Sequence, residues 1–312
     1  MFAIAVGVLI GIGLPLQTSI NSRLRAFLGS PFRASLISFA IGTAFLAVIT
    51  LVSQGSLLFA GQLFTTQPWW LWSGGLLGVV YLTGNILLFP KLGSVQTVIF
   101  PIFGQILAGL LIDNFAWFGA RHIVLTPLRV GGALLVLVGV IGTVAITDLI
   151  DRHHNRLEPT PSRPDASLWL WRLAGVLTGM GSAVQTTVNG RLGVVLGSKV
   201  QAAFVSFLVG TLTLAVIALV TRHLPRETTQ QANTWWLWLG GMIGALYVFG
   251  NVYLAVALGT GLAVVIVLIG LMVGSLLIDQ FGWLGTTRKP IDRLQLVSLL
   301  VMAAGVALIR LF

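Results

Sequence analysis

The chain has 312 residues, of which 56% are hydrophobic and 8% are charged, with 37 glycines and no cysteine. Soluble domains carry charge at roughly a quarter of their positions, so this composition excludes a soluble enzyme, and its apolar character excludes a disordered chain. The absence of cysteine excludes disulfides, thiolate metal sites and cysteine nucleophiles. A polytopic membrane protein remains, and its net charge of +10 marks cytoplasmic loops rather than nucleic-acid binding.

Ten apolar windows follow one another, each about as long as the roughly 20 residues that cross a bilayer as a helix. They run approximately over Phe2–Ile20, Pro31–Val52, Trp69–Phe89, Ser94–Ile112, Pro127–Ile146, Trp169–Val188, Val200–Val220, Trp235–Leu258, Gly261–Ile278 and Leu294–Leu311. The first window has no basic leader or small-residue cleavage site, so we expect a retained helix. Residues 148–168 are hydrophilic and typical of a flexible linker. The sequence therefore predicts an all-α membrane protein with five spans in residues 1–147 and five in residues 169–312.

The two five-span units are copies of one another. Residues 17–43 and 185–211 share 13 of 27 positions, and residues 69–93 and 235–259 share 13 of 25. The 16-residue segments that begin at Gly104 and Gly270 share 8 more. The identities include Gln, Asn, Arg, Trp and Asp at fixed offsets, which a bias toward Leu, Val and Gly does not produce. The chain therefore contains an internal duplication.

An odd number of spans per unit predicts that the second unit enters the membrane in the opposite orientation, because residues 148–168 are too polar to cross it. The distribution of Lys and Arg agrees, since the loops on one side hold 13 of them and those on the other side hold 5. The side richer in Lys and Arg is normally cytoplasmic. We therefore expect the linker in the cytoplasm and both termini outside.

Inverted repeats are the construction of many secondary transporters, in which the two halves exchange conformations to open the molecule alternately to each side. Polar side chains in the spans then indicate a wet cavity or contacts between helices. Amides toward the two mouths of the cavity are predicted to act as gates, namely Gln17, Asn21, Gln185 and Asn189. Seven further polar residues, which lie between these two groups of gating amides or beside them, are predicted to bind the solute, namely Thr43, Tyr81, Asn85, Gln105, Thr211, Tyr247 and Asn251.

These assignments have structural alternatives. The amides alternatively join neighbouring helices, at around 1 kcal/mol each, and the tyrosines alternatively pack between helices with their hydroxyls on backbone carbonyls. Gln105 is matched by Leu271 in the second unit, so we expect it to influence substrate choice. Asp113 and Asp279 each precede an FxWxG segment, and we expect them to cap a turn or pair with Arg rather than couple transport to protons.

Other chemistries have little support in the sequence. No Asp, Glu, Lys, Arg or His falls near the middle of a predicted span, which disfavours proton coupling through a buried carboxylate. The four histidines lie in loops and predict no metal site, and the chain has no Walker motif for ATP. We therefore expect neither cofactor nor metal, and we do not expect an enzyme.

The repeated motifs resemble a known family. Gln-x3-Asn-x-Arg-Leu with LGS and SFxxGT, then WWxWxGGxxGxxYxxGN, then LLID-x-FxWxG, look like the YdcZ-type family of the drug/metabolite transporter (DMT) superfamily. Members resemble one five-span half, and this chain resembles two of them fused. The resemblance implies a ten-helix bundle of two inverted repeats in the bacterial cytoplasmic (inner) membrane, and it implies transport in general terms. The chain is more distantly similar to small multidrug exporters, which carry a glutamate in their first helix where this chain offers only Gln17.

Together these features predict a secondary transporter that carries a small polar-neutral or amphiphilic organic metabolite or drug by alternating access. A lipid flippase or scramblase and a non-transporting membrane scaffold are the alternatives. The expected partners are the small-molecule solute and membrane lipids. A functional monomer is the simpler expectation, because each fused half supplies the other's two-fold partner, and a homodimer is the alternative.

Overall fold

The structure is a computed structural model that describes residues 2–120, 122–155, 166–221, 235–258, 260–286, 288 and 291–311. Within these ranges, side chains are described except at residues 143–155, 166, 251–253, 255–258, 260–265, 285 and 310.

The described ranges contain ten α-helices and no strand. The helices are α1 (Phe2–Leu28), α2 (Pro31–Gln54), α3 (Leu63–Thr66), α4 (Gly74–Phe115), α5 (Pro127–Asn155), α6 (Ala166–Val195), α7 (Lys199–Val220), α8 (Gly240–Leu258), α9 (Thr260–Phe281) and α10 (Arg293–Leu311). Short 3₁₀ turns precede α4 and α8 and follow α4 and α9, at Trp69–Trp72, Trp235–Leu239, Trp117–Gly119 and Trp283–Gly285. The prediction of an all-α membrane protein is confirmed.

Each predicted window lies on one of these helices or on the 3₁₀ turn in front of it. Among the described residues, α1, α2, α4 and α7 are long and apolar enough to cross a membrane. The predicted ends were too early for three helices, since α1 continues to Leu28 rather than Ile20, α5 to Asn155 rather than Ile146, and α6 to Val195 rather than Val188. Hydropathy ends a window at the first polar residues, whereas a helix ends where its backbone changes direction.

The LGS sequence of each repeat makes that change of direction. Gly29 and Gly197 adopt left-handed φ values of 69° and 65°, which glycine tolerates without steric cost. The following serine caps the next helix: Ser30 Oγ accepts a hydrogen bond from Arg33 N at 3.5 Å, and Ser198 Oγ accepts one from Gln201 N at 3.3 Å. These caps satisfy backbone donors that a helix start leaves free. The motif therefore joins α1 to α2, and α6 to α7, by a tight turn.

A bend divides α4 into two arms. Gly93 has φ 74° and ψ −179°, a conformation that only glycine adopts readily. We call residues 74–92 the first arm and residues 94–115 the second arm. They correspond to the third and fourth predicted spans, as α8 and α9 do in the second half.

The two halves run in opposite directions. Gly132 of α5 lies against Gly305 and Ile309 of α10, whereas Gly139, two turns later, lies against Ser298 and Met302. The residue numbers rise in α5 as they fall in α10, so the two helices are antiparallel. Since α5 and α10 are equivalent in the repeat, the halves are inverted relative to each other.

The halves also interdigitate. Helix α1 packs on α8 and α9, α6 packs on both arms of α4, and α2 packs on α7. The backbones come close enough that a Cβ at Gly104 would collide with the Val176 carbonyl, and one at Gly270 with the Val8 carbonyl. Small residues permit this approach between membrane helices. Residues from both halves therefore meet along the centre of the bundle.

Candidate functional site

Four of the predicted solute-binding residues meet in one cluster. Tyr81 and Asn85 lie one helical turn apart on the first arm of α4, Gln105 lies on the second arm, and Tyr247 lies on α8. The Tyr81 hydroxyl lies beside the side chains of Asn85 and Gln105, and Tyr247 is close enough to affect it electrostatically. The bend in α4 makes this possible, because it folds the second arm back beside the first.

The cluster brings together polar groups that are partly accessible. Tyr81, Gln105 and Tyr247 are half-buried, so part of each side chain is accessible. Asn85 is 4% exposed and its Oδ1 has no hydrogen-bond partner. Hydroxyl and amide groups both donate and accept hydrogen bonds, and none of the four residues is an acid or a base that is charged at neutral pH. This chemistry suits an uncharged polar molecule.

Asn251, which the repeat predicts to match Asn85, has a side chain outside the described residues. Its backbone lies in α8, one turn beyond Tyr247.

The two predicted threonines contact each other instead. Thr43 of α2 and Thr211 of α7 have their Oγ1 atoms 2.8 Å apart, and Thr211 donates to the Phe207 carbonyl at 2.9 Å. Because the Thr211 proton is used there, Thr43 is the donor within the pair. Phe39 and Phe207 pack beside them with ring centroids 5.0 Å apart. The threonine pair therefore bridges the equivalent helices of the two halves.

The predicted gating amides lie at contacts between the halves. On α1, Gln17 and Asn21 lie against Gly244 and Gly240 of α8, where a Cβ would collide with them. Asn21 also donates from Nδ2 to Ser38 Oγ at 3.2 Å, and both amides are at least nine-tenths buried. These two amides therefore hold the end of α1 to the start of α8.

The second pair repeats this arrangement at the opposite end of the bundle. Gln185 and Asn189 of α6 lie against Gly78 and Gly74 of α4. Asn189 donates from Nδ2 to Ser206 Oγ at 3.1 Å. Unlike their counterparts, Gln185 and Asn189 are half-buried.

Three of these amides have a carbonyl oxygen with no conventional donor, namely Gln17 Oε1, Asn21 Oδ1 and Asn189 Oδ1. For Asn21 and Asn189, the Oδ1 atom is the atom nearest to the facing glycine. A glycine Cα–H group is a weak donor that partly satisfies such an oxygen. Sequence reasoning missed Ser38 and Ser206 as partners of the asparagines, although both belong to the repeated SFxxGT motif.

The repeat-matched acids have different partners. Asp113 forms an ion pair with Arg129, at 2.7 Å between Oδ2 and Nη2, so the expected pairing with Arg is confirmed. Asp279 Oδ2 accepts a hydrogen bond from Val95 N at 3.4 Å, which caps the start of the second arm of α4. Sequence reasoning also missed the nearby hydrogen bond from Arg172 Nε to Gln96 Oε1, at 3.2 Å.

Comparison with known proteins decides the family. Residues 2–142 and 170–308 match the model of the family described as "Putative inner membrane exporter, YdcZ". The chain belongs to this family. It contains the YdcZ unit twice, which confirms the resemblance of the repeated motifs.

Two relatives extend the comparison. The chain is 28% identical to Inner membrane protein YdcZ of Escherichia coli (strain K12) over 134 residues, which are 41% of this chain and 85% of that relative. A chain in a solved crystal structure aligns with a TM-score of 0.57 at 18% identity, covering 98% of this chain and 97% of that one. Membership of the YdcZ family makes this chain a multi-pass inner-membrane protein of the transporter class.

Proposed function

We propose that the protein is a secondary transporter that binds a small polar-neutral or amphiphilic organic solute at Tyr81, Asn85, Gln105 and Tyr247. The observation that carries the proposal is the cluster itself, in which partly accessible hydroxyl and amide groups from both inverted halves meet. A polar group in a bundle of apolar helices is costly unless it is paired or solvated. Asn85 Oδ1, which is buried without a partner, is the atom on which a solute donor is expected to bind.

The architecture supports alternating access as the proposed mechanism. Each half contributes an amide pair that contacts glycines of the other half, one pair at each end of the bundle. Rocking of one inverted repeat against the other opens and closes such ends in turn. We therefore assign Gln17, Asn21, Gln185 and Asn189 to the two gates, and Thr43 with Thr211 to the pivot between α2 and α7. Asn251 completes the solute site by symmetry with Asn85.

The direction that we propose is export from the cytoplasm. The family description names an exporter, and the charge distribution predicts both termini outside and the linker in the cytoplasm. The solute gradient or an exchanged solute supplies the energy. A single chain is the proposed functional unit, because its two halves already supply both sides of the site.

A ligand-binding screen tests the site. Purified protein is heated with a library of metabolites and drugs at two pH values, since a ligand that binds only the folded state raises the unfolding temperature in proportion to ln(1 + [L]/Kd). We expect hits among uncharged, hydrogen-bonding compounds, with the same shift at both pH values. Asn85→Ala and Tyr81→Phe should abolish the shift while the unliganded protein stays folded.

Two substitutions outside the cluster provide matched controls. Asn114→Ala removes an amide that accepts from Leu125 N at 3.0 Å, and Thr213→Val removes a hydroxyl that bonds the Val209 carbonyl at 2.8 Å. Both variants should keep the ligand shift. Equal shifts in Asn85→Ala, Tyr81→Phe and the unaltered protein would refute the site. Stabilisation by particular lipids alone, with movement of dye-labelled lipid in proteoliposomes, would favour a flippase.

A further inference from the structure

Equivalent faces of α1 and α6 differ in burial. This stripe of residues is buried along α1, whereas it becomes exposed toward the end of α6. On α1 the residues at intervals of four, three and four, namely Gly7, Gly11, Leu14 and Thr18, are all buried. On α6 the equivalent residues change along the helix, since Gly175 and Gly179 are buried, Ser182 is half-buried and Thr186 is exposed. Residues at this spacing share one face of a helix. The structure is therefore asymmetric although three of the four positions hold the same residue in both helices.

The exposed end of this stripe lies on the face of α6 that packs on α4. Gly175 and Gly179 lie on the same stripe and pack on Phe100 and Pro101 of the second arm of α4. The outer face of α6 is marked by different residues, such as Leu173 and Leu177, which are 55% and 57% exposed. Thr186 therefore lies exposed on the α4-facing side of α6, at the end of the bundle where α6 ends and α4 begins.

The two ends of the bundle differ in how deeply their gating amides are buried. We call the end that holds the end of α1, the Gly93 bend and the start of α6 the bend face. We call the end that holds the end of α6 and the start of α4 the opposite face. Asn21 and Gln17 are buried near the bend face, whereas Asn189 and Gln185 are half-buried near the opposite face. The gating amides thus follow the same asymmetry as the stripe.

One hydrogen bond closes the bend face within the first half. Arg25 Nη1 donates to the Ile86 carbonyl at 3.1 Å, which ties the last turns of α1 to the first arm of α4. Leu24 and Ile86 are 1% and 0% exposed and belong to the same hydrophobic cluster. Gly193 occupies the position of Arg25 in the second repeat. The opposite face therefore lacks the side chain that makes this bond.

A second polar contact closes the bend face between the halves. Arg172, at the start of α6, is 3% exposed, donates to Gln96 at 3.2 Å and lies 4.8 Å from the ring centroid of Trp169. In the repeat, Ile4 and Leu262 stand where Arg172 and Gln96 do. Neither side chain forms hydrogen bonds, so this contact too is specific to the bend face.

We propose that the protein rests with its bend face closed and its opposite face open, and that Arg25 and Arg172 lock the bend face. The proposal rests on the alternating access proposed above. Rocking that opens the bend face breaks the bond from Arg172 to Gln96, which joins the two halves. The bond from Arg25 to the Ile86 carbonyl breaks when α1 moves together with α8 and α9, on which it packs. The matching residues of the opposite face, Gly193, Ile4 and Leu262, form neither bond. In the predicted topology, the resting protein is closed to the cytoplasm and accessible from outside.

The chain has no cysteine, so single cysteines report the two faces without background. Thr18→Cys and Thr186→Cys form a matched pair, because the two hydroxyls make the same bond to the carbonyl four residues earlier, at 3.0 Å and 2.9 Å. Each variant in lipid nanodiscs is reacted with a charged maleimide, which does not enter the bilayer. We expect Thr186→Cys to react at least 10-fold faster than Thr18→Cys.

Removing the lock should reverse this difference. Arg25→Gly and Arg172→Ile copy the residues of the other repeat, and each should raise the rate at position 18 while lowering the rate at position 186. Gln96→Leu serves if the Arg172 variant does not fold, as judged by gel filtration. Arg23→Gly is the control, because Arg23 is exposed, and it should leave both rates unchanged.

Three results would overturn the lock. They are equal labelling at the two positions in the otherwise unaltered protein, rates that do not respond to the Arg25 and Arg172 variants, and responses in the same direction at both positions. Labelling needs no solute, so a failed ligand screen would count against the solute site and leave the lock standing. Equal labelling would refute the lock and leave the solute site standing.

Discussion

A methyl group added at Gly240 tests the contact between a gating amide and the glycine of the other half. A Cβ at this position would collide with Asn21 Oδ1. Asn21 is 0% exposed and is held by its bond to Ser38, so it has little room to move. Overpacking of this kind costs about 1–3 kcal/mol, and we expect Gly240→Ala to lower the free energy of unfolding by that amount.

The double variant makes the test specific. Asn21→Ala alone should cost about 1–3 kcal/mol, because Ser38 loses a partner in a buried site. In Asn21→Ala/Gly240→Ala the two methyl groups share the space that the amide left. The combined loss should therefore be smaller than the sum of the single losses, by a coupling energy of about 0.5–3 kcal/mol.

Equilibrium unfolding in lipid–detergent micelles, followed by tryptophan fluorescence, measures these free energies. Gly131→Ala is the control: it lies in α5, a Cβ there meets nothing within 4 Å, and the change should stabilise the helix by about 0.5–1 kcal/mol. Gly74→Ala should cost less than Gly240→Ala, because its partner Asn189 is half-buried. A Gly240→Ala variant as stable as Gly131→Ala, or additive losses in the double variant, would show that the amide does not rest on the glycine.

Two further predictions concern the frame around the site, and the same unfolding assay measures both. Arg129→Met should lower the free energy of unfolding by about 3–5 kcal/mol, because it removes the ion pair to Asp113 and the bonds to the Ile309 and Ile123 carbonyls, at 3.2 Å and 3.3 Å. A loss below about 1 kcal/mol, typical of an exposed pair, would contradict this prediction. Gly93→Ala should lower the free energy of unfolding by about 1–3 kcal/mol, because the positive φ of Gly93 is strained for any other residue, although a Cβ there meets nothing within 4 Å. An unchanged free energy of unfolding would mean that the bend is not formed.

The sequence was sufficient for the parts of the fold that depend on local pattern and on repetition. Hydropathy located the helices, and the duplication with an odd number of spans predicted the inversion that α5 and α10 display. The same repetition selected Tyr81, Asn85 and Tyr247, because a polar side chain at a fixed offset in two copies stands out against an apolar background.

The contacts between distant segments were beyond the reach of the sequence. Ser38 and Gly240 are partners of Asn21 through packing of α1 on α2 and α8, which no spacing along the chain specifies. The pairing of Arg172 with Gln96 has no copy in the second half, so the repeat gave no sign of it. The end of α1 was misjudged for a different reason, since Gly29 and Ser30 end the helix by backbone geometry.

Flux through the protein tests the central claim most directly. Proteoliposomes are loaded with the best uncharged compound from the ligand screen, and exchange of the labelled compound across the membrane is followed. The account predicts exchange by the unaltered protein, at least a 10-fold slower rate in Asn85→Ala, and an unchanged rate in Asn114→Ala. Equal exchange rates in the unaltered protein and Asn85→Ala would contradict the proposed site, and the absence of exchange for every compound that binds would contradict a transporter.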